Sequence, residues 1–212
     1  MAARALRTPM PTEKKLQALM SLQEQPSAAS TRLLREALTD GEDEIRLLAY
    51  TIVDRQEKRL MNQIIRLQAR LEEALKTAPT GIMAMRLLHQ LSELHWEMIH
   101  RHLAQGELSR FLLKRGLQHA DHALALDPEA IPLRLLRARL RLRLGDRAAA
   151  REDLQTAHAL GAAPSQTLPW LAELAFREGD FRQLRAWLAQ LGDDALSPRL
   201  RRLRRMWVRG HE

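Results

Sequence analysis

The sequence predicts an all-α fold, a right-handed helical-repeat solenoid, and three observations carry that prediction. Leu, Ala, Arg, Glu and Gln dominate the chain, and strand-like clusters of β-branched residues are almost absent. Those residues lose little rotamer freedom in a helix. The 9 glycines and 9 prolines fall mostly between apolar-periodic segments rather than inside them. The second half of the chain also repeats with a period of 34 residues.

The elements follow in order. Residues 1–11 hold Pro9 and Pro11 and read as a flexible tail. Thr12 caps a helix to about Gln25, with Leu16, Leu19, Met20 and Leu22 on one side. Ser27 or Ser30 opens a second helix that ends near the turn Thr39-Asp40-Gly41-Glu42-Asp43. An apolar stripe then runs through Ile45, Leu48, Ala49, Ile52 and Val53 and stops at the polar sextet Asp54 to Arg59. It resumes at Leu60, Met61 and Ile64 and continues through Leu67, Leu71 and Leu75, giving one long helix or two collinear ones to Thr77. Ala78-Pro79-Thr80-Gly81 breaks it. Helices follow over about 81–105 and 108–126, then as shorter pairs over 131–144 with 147–160 and 167–178 with 181–191. Ser197-Pro198 opens a last, basic helix, placed by its polar outer face as a cap over 196–212.

One segment carries two conflicting periods. "LRARLRLRLGD" alternates apolar and basic residues, which on a period of two is a strand. The repeat overrules that reading. Gly145-Asp146 and Gly179-Asp180 are 34 residues apart, as are Ala104, Ala138 and Ala172, then Ala123, Ala157 and Leu191, then Gly116, Ala150 and Leu184. Small residues at fixed intervals let helix backbones cross closely. A 34-residue helix-turn-helix period resembles the tetratricopeptide repeat. Units fall at about 131–164 and 165–195, with a degenerate one at about 97–130 that ends in Ala123 to Pro128. The first clear unit departs from the pattern: Arg134, Arg137 and Arg141 stand where large apolar residues are expected. Ahead of the repeats, "LREALTDGEDEIRLLAY" resembles a HEAT-type helix pair. The domain reading is therefore a tail (1–11), HEAT-like helices with the long connecting helix (12–78), tetratricopeptide-type repeats (79–195) and the basic cap (196–212).

Composition narrows the chemistry. With 34 basic and 26 acidic residues the chain carries +8, which suits an acidic protein face, anionic lipid or nucleic acid. Aromatic residues make up only 4%, few stacking platforms for bases, so a nucleic-acid-binding helical repeat stands as the alternative rather than the main reading. The chain has no cysteine, hence no disulfide and no thiolate metal site. No apolar run is long enough to span a bilayer. Gly-rich phosphate loops and G-x-S-x-G are absent. Histidines 89, 95, 100 and 102 lie near Glu93 and Glu97, but His95 and His100 point about 140° apart on a helix, so no metal is expected. Asp54 and Glu57, one turn beyond Tyr50, could do acid/base work, yet Asp54 to Lys58 is also an ordinary i,i+4 ion pair. A non-catalytic surface that grips another protein explains them better, with no cofactor.

Two blocks narrow the resemblance further. They are "EIRLLAYTIVDRQEKRLMNQI" and "LSELHWEMIHRHLAQGELSRFLLKRGLQHADHALALDP", in this order and ahead of repeats. Together they resemble the PelE family, inner-membrane tetratricopeptide proteins of the bacterial Pel exopolysaccharide system, over roughly residues 30–195. Arg46 to Tyr50, Asp54, Glu57-Lys58, Trp96, Gln105-Gly106 and Ala123 to Pro128 carry the likeness. The family has two membrane-spanning helices ahead of a cytoplasmic helical domain, so the resemblance implies that cytoplasmic portion. It also implies a scaffold of a synthase complex at the cytoplasmic face of the inner membrane. Its partners would be a PelD-like cyclic-di-GMP receptor and other Pel synthase proteins, with an anionic membrane surface compatible beside them. The expected partner site is Arg46, Tyr50, Asp54, Glu57 and Lys58, with the row Arg134, Arg137 and Arg141 as a second candidate for an acidic partner.

Overall fold

A computed structural model describes residues 11–191. Among them lie nine α-helices and no strand: α1 (Thr12–Glu24), α2 (Ala28–Ala37), α3 (Asp43–Thr77), α4 (Ile82–His100), α5 (Gly106–Leu126), α6 (Ile131–Leu144), α7 (Arg147–Ala159), α8 (Pro164–Glu178) and α9 (Phe181–Ala189). The tail, apart from Pro11, and the basic helix expected over 196–212 lie outside the described residues. The chain divides into two compact units between Gly116 and Leu117, inside α5 and within the degenerate repeat.

In the first unit α1 and α2 pack on each other and on α3, and α3 packs on α4. Pro11, not Thr12, occupies the N-cap position of α1. Ser27 caps α2 through a reciprocal box: its hydroxyl accepts from the Ser30 amide at 3.1 Å, and the Ser30 hydroxyl accepts from the Ser27 amide at 2.7 Å. Lys15 reaches from α1 to Asp40 and Glu42, both at 3.0 Å, and pins α1 to the turn before α3.

The long apolar stripe forms a single helix. α3 is 35 residues, about 52 Å at 1.5 Å per residue, and buries Ile45, Ala49, Ile52, Val53, Leu60, Ile64 and Leu71 on one side. The polar sextet does not interrupt that side, because Gln56 is buried between Val53 and Leu60. The next helix stops at His100, short of the expected residue 105. His102 takes the left-handed conformation (φ 55°), and the Leu103 amide bonds back to the Met98 carbonyl at 2.9 Å. A histidine, where glycine usually sits, ends the helix there.

In the second unit α6, α7, α8 and α9 pack in sequence, each on the next. The alternating "LRARLRLRL" is helical, with Leu133, Leu135, Leu136, Ala138 and Leu140 buried. All three columns of the 34-residue period are buried: Ala104, Ala138 and Ala172; Ala123, Ala157 and Leu191; Gly116, Ala150 and Leu184. Each Gly-Asp dipeptide closes one helix and opens the next. Gly145 and Gly179 are left-handed (φ 89° and 76°), and the Asp146 and Asp180 amides return to the Arg141 and Ala175 carbonyls at 3.0 Å. The same aspartates then accept from the Ala149 and Gln183 amides at 3.2 and 3.0 Å as N-caps of α7 and α9.

A Cβ added at Gly145 or Gly179 would meet nothing within 4 Å, so the cost of alanine there is backbone strain alone. Gly145→Ala and Gly179→Ala are each expected to lower unfolding stability by about 1–2 kcal/mol, read by urea denaturation. Gly41→Ala, also in open space but not left-handed, serves as the near-neutral control.

Candidate protein-docking site

The outer side of α3 follows from the burial of its inner side. With Ile45, Ala49, Ile52, Val53 and Gln56 turned inward, residues three and four apart on the opposite side face solvent. Leu47 is 68% exposed and Tyr50 61% exposed, two large side chains left uncovered on that side. The charged residues around them are fixed rather than loose. Arg46 pairs with Asp43 and donates from Nη1 to the Asp40 carbonyl at 2.8 Å. Lys58 bridges to Asp54 at 2.9 Å, and that hydrogen bond holds the ammonium pKa above its usual value. Glu57 lies 3.6 Å from Arg35 of α2; partial burial pushes its carboxyl above the usual range, with Arg35 opposing.

The structure thus gathers Arg46, Tyr50, Asp54, Glu57 and Lys58 along one side of α3. Asp54 and Glu57 each face a cation. The open groove of about 480 Å³ between α3 and α4 is lined by Gln63, Arg66, Leu67, Arg70, Gln90, Glu93 and Leu94, and so includes neither carboxylate. Three of the histidines meet neighbours within the first unit. His95 is buried and donates from Nδ1 to the Leu91 carbonyl at 2.5 Å, and burial lowers its pKa. His89 faces Glu93 at 3.5 Å, and His100 stacks on Trp96 with ring centroids 5.6 Å apart. Among the described residues no three His, Asp or Glu side chains gather where they could hold a metal.

Arg134, Arg137 and Arg141 lie in the other unit, and the nearest acidic groups are within the chain. Asp153 of α7 is 1% exposed and accepts from Arg137 Nε at 2.9 Å, from Arg137 Nη2 at 2.5 Å and from Arg141 Nη1 at 2.9 Å. Arg134 stands 3.7 Å from it and also donates to the Pro128 carbonyl. Asp121 of α5, about half exposed, accepts from Arg137 Nη1 at 2.9 Å and lies 3.8 Å from Arg141. Burial pulls the Arg137 pKa down, but the bonds to Asp153 and Asp121 outweigh it, so the value is raised. Sequence reasoning passed over Asp153. Its signal was its register: three residues after Ala150 and four before Ala157, it lies on the buried side of α7.

Gln56 was also missed, hidden in the polar sextet. Its Oε1 accepts from Arg101 Nη2 at 2.7 Å, and both side chains are at least nine-tenths buried. Burial lowers the Arg101 pKa, with Glu97 opposing at 3.6 Å.

Helix hairpins joined by left-handed Gly-Asp turns on a 34-residue period define an all-α helical-repeat fold. No family model and no curated protein matches the chain. Among solved structures it is similar to a thermophilic tetratricopeptide-repeat protein of Thermus thermophilus. The two share 23% identity over 84% of this chain and 88% of that one, with a TM-score of 0.46.

Removing Asp153 leaves three guanidiniums crowded without their central anion. Asp153→Asn is expected to cost about 3–5 kcal/mol of stability by chemical denaturation, against under about 1 kcal/mol for Asp121→Asn at the exposed carboxylate. For His95 the folded pKa is lowered, so below the ordinary histidine value of about 6.5 the unfolded chain binds the proton first. Stability is therefore intact above that pH and falls as pH drops through it, by at most about 1.4 kcal/mol per pH unit. His95→Gln is expected to flatten that slope between pH 7 and 5.5.

Proposed function

We propose that this chain is a non-catalytic protein–protein scaffold. Its α3 outer face docks the cytoplasmic domain of a PelD-like cyclic-di-GMP receptor in a Pel-type exopolysaccharide synthase complex at the cytoplasmic face of the inner membrane. The observation that carries the reading is the exposure of Leu47 and Tyr50 within the block Arg46 to Tyr50, one of those that carry the resemblance. Neither side chain belongs to the buried side of α3; both present apolar surface between fixed ion pairs. Tyrosine in such a setting supplies a large contact at low entropic cost, with a hydroxyl for orientation. Arg134, Arg137 and Arg141 contribute the cationic charge that Asp121 and Asp153 leave over. The +8 of the chain suits a position beside anionic lipid, and no helix among the described residues is long and apolar enough to cross a membrane.

The test is co-purification with the receptor's cytoplasmic domain. Tyr50→Ala combined with Glu57→Lys is expected to weaken binding by about 10- to 30-fold while leaving helicity and thermal stability near those of the parent. A folded double variant that binds as tightly as the parent would show that docking uses another face.

A further inference from the structure

We propose that the outer face of α3 also pairs, antiparallel, with the same face of a second copy of this chain. Leu47, Tyr50, Asp54, Lys58, Met61 and Ile65 recur at intervals of three or four, so they form one stripe down the helix. Leu47, Tyr50 and Ile65 are each more than half exposed, Lys58 is exposed, and Asp54 and Met61 are partly so. The stripe is apolar at both ends and charged in the middle, and its middle carries an acid followed by a base.

That order is self-complementary about a two-fold axis level with Gln56. Leu47 and Ile65 each lie nine residues from Gln56, and Asp54 and Lys58 each lie two residues from it, on opposite sides. Tyr50 precedes it by six residues and Met61 follows it by five. An antiparallel pair therefore sets Leu47 against the second copy's Ile65, Tyr50 against the second copy's Met61, and Asp54 against the second copy's Lys58, each contact made twice. This is the isologous arrangement that two-fold dimers require. The intrachain Asp54–Lys58 bridge then becomes half of a ring of four alternating charges. Parallel pairing would instead place Asp54 on Asp54 and align the helix dipoles unfavourably. The stripe from Leu47 to Ile65 is about 27 Å long. One helix pair of that length sits at the low end of interface sizes, below about 1,200 Å², so the dimer is weak and concentration-dependent.

The inference shares the α3 face with the docking reading, and its test uses the 212-residue chain alone, so the identity of any other partner does not enter. Sedimentation equilibrium from about 1 to 500 µM at low salt is expected to show a monomer–dimer equilibrium, in keeping with an interface of this size. Asp54→Lys and Lys58→Asp each place like charges across the axis and are expected to weaken dimerisation at least about fivefold. Combining the two reverses the charges but keeps the complementarity, and is expected to restore the dimer. Ile65→Asp, at an exposed position, is expected to abolish it with helicity unchanged. The chain has no cysteine, so the double variant Leu47→Cys/Ile65→Cys offers a clean crosslink and is expected to yield covalent dimers on mild oxidation. A monomer throughout the concentration range overturns the inference, as does a dimer indifferent to Asp54→Lys and Ile65→Asp. If the chain is monomeric while Tyr50→Ala/Glu57→Lys still weakens receptor binding, this inference fails and the docking reading stands.

Discussion

Close approach of helix backbones at small residues is the constraint on which the second unit depends. Ala138, Ala150, Ala157 and Ala172 are fully buried where α6, α7 and α8 meet. Helices packed side by side lie about 8–10 Å apart, and the smaller the residue at the crossing, the nearer that range's lower end. Larger side chains there would lift α7 from α6. The same lift would carry Asp153 away from Arg137 and Arg141, whose bonds of 2.5–2.9 Å tolerate little displacement. Packing distance thus governs whether the buried carboxylate is an asset or a liability.

Charge in this protein is shaped by such local placement more than by its total. The row of arginines on α6 looks, in isolation, like a surface for an acidic partner. Folded, all three of its guanidiniums surround one buried anion, and two of them share a second, half-exposed one. On α3 the charges behave similarly at lower stakes: Arg46 to Asp43, Lys58 to Asp54 and Glu57 to Arg35 leave Leu47 and Tyr50 as the unspoken-for surface. What that side of α3 presents is apolar surface and a fixed order of charges, and neither follows from the net charge of the chain.

Much of the fold was legible because the signals were local. The apolar period running from Ile45 to Leu75 spans α3, though it left one helix or two collinear ones open, and Gly145 and Gly179 state both hairpins of the second unit. The stop at His100 was not legible, because the left-handed residue there is His102 and the usual glycine signal is missing. The polar sextet misled for a different reason. Its composition reads as a solvated break, yet Gln56 continues the buried side by meeting Arg101, a partner 45 residues away that no local pattern announces. The site residues show the same division. That Tyr50 lies off the buried stripe could be read from spacing, whereas the pairing of Arg137 with Asp153 required the two helices to be brought together.

The Gly-Asp dipeptides give the second unit a seam at which it can grow. Each completes the carbonyl ends of the helix behind it and the amide ends of the helix ahead, so neither helix borrows a cap from a more distant part of the chain. A block of 34 residues that ends in the same dipeptide would bring its own terminus chemistry with it. Duplication or loss of such a block would then change the length of the array without leaving a raw helix end.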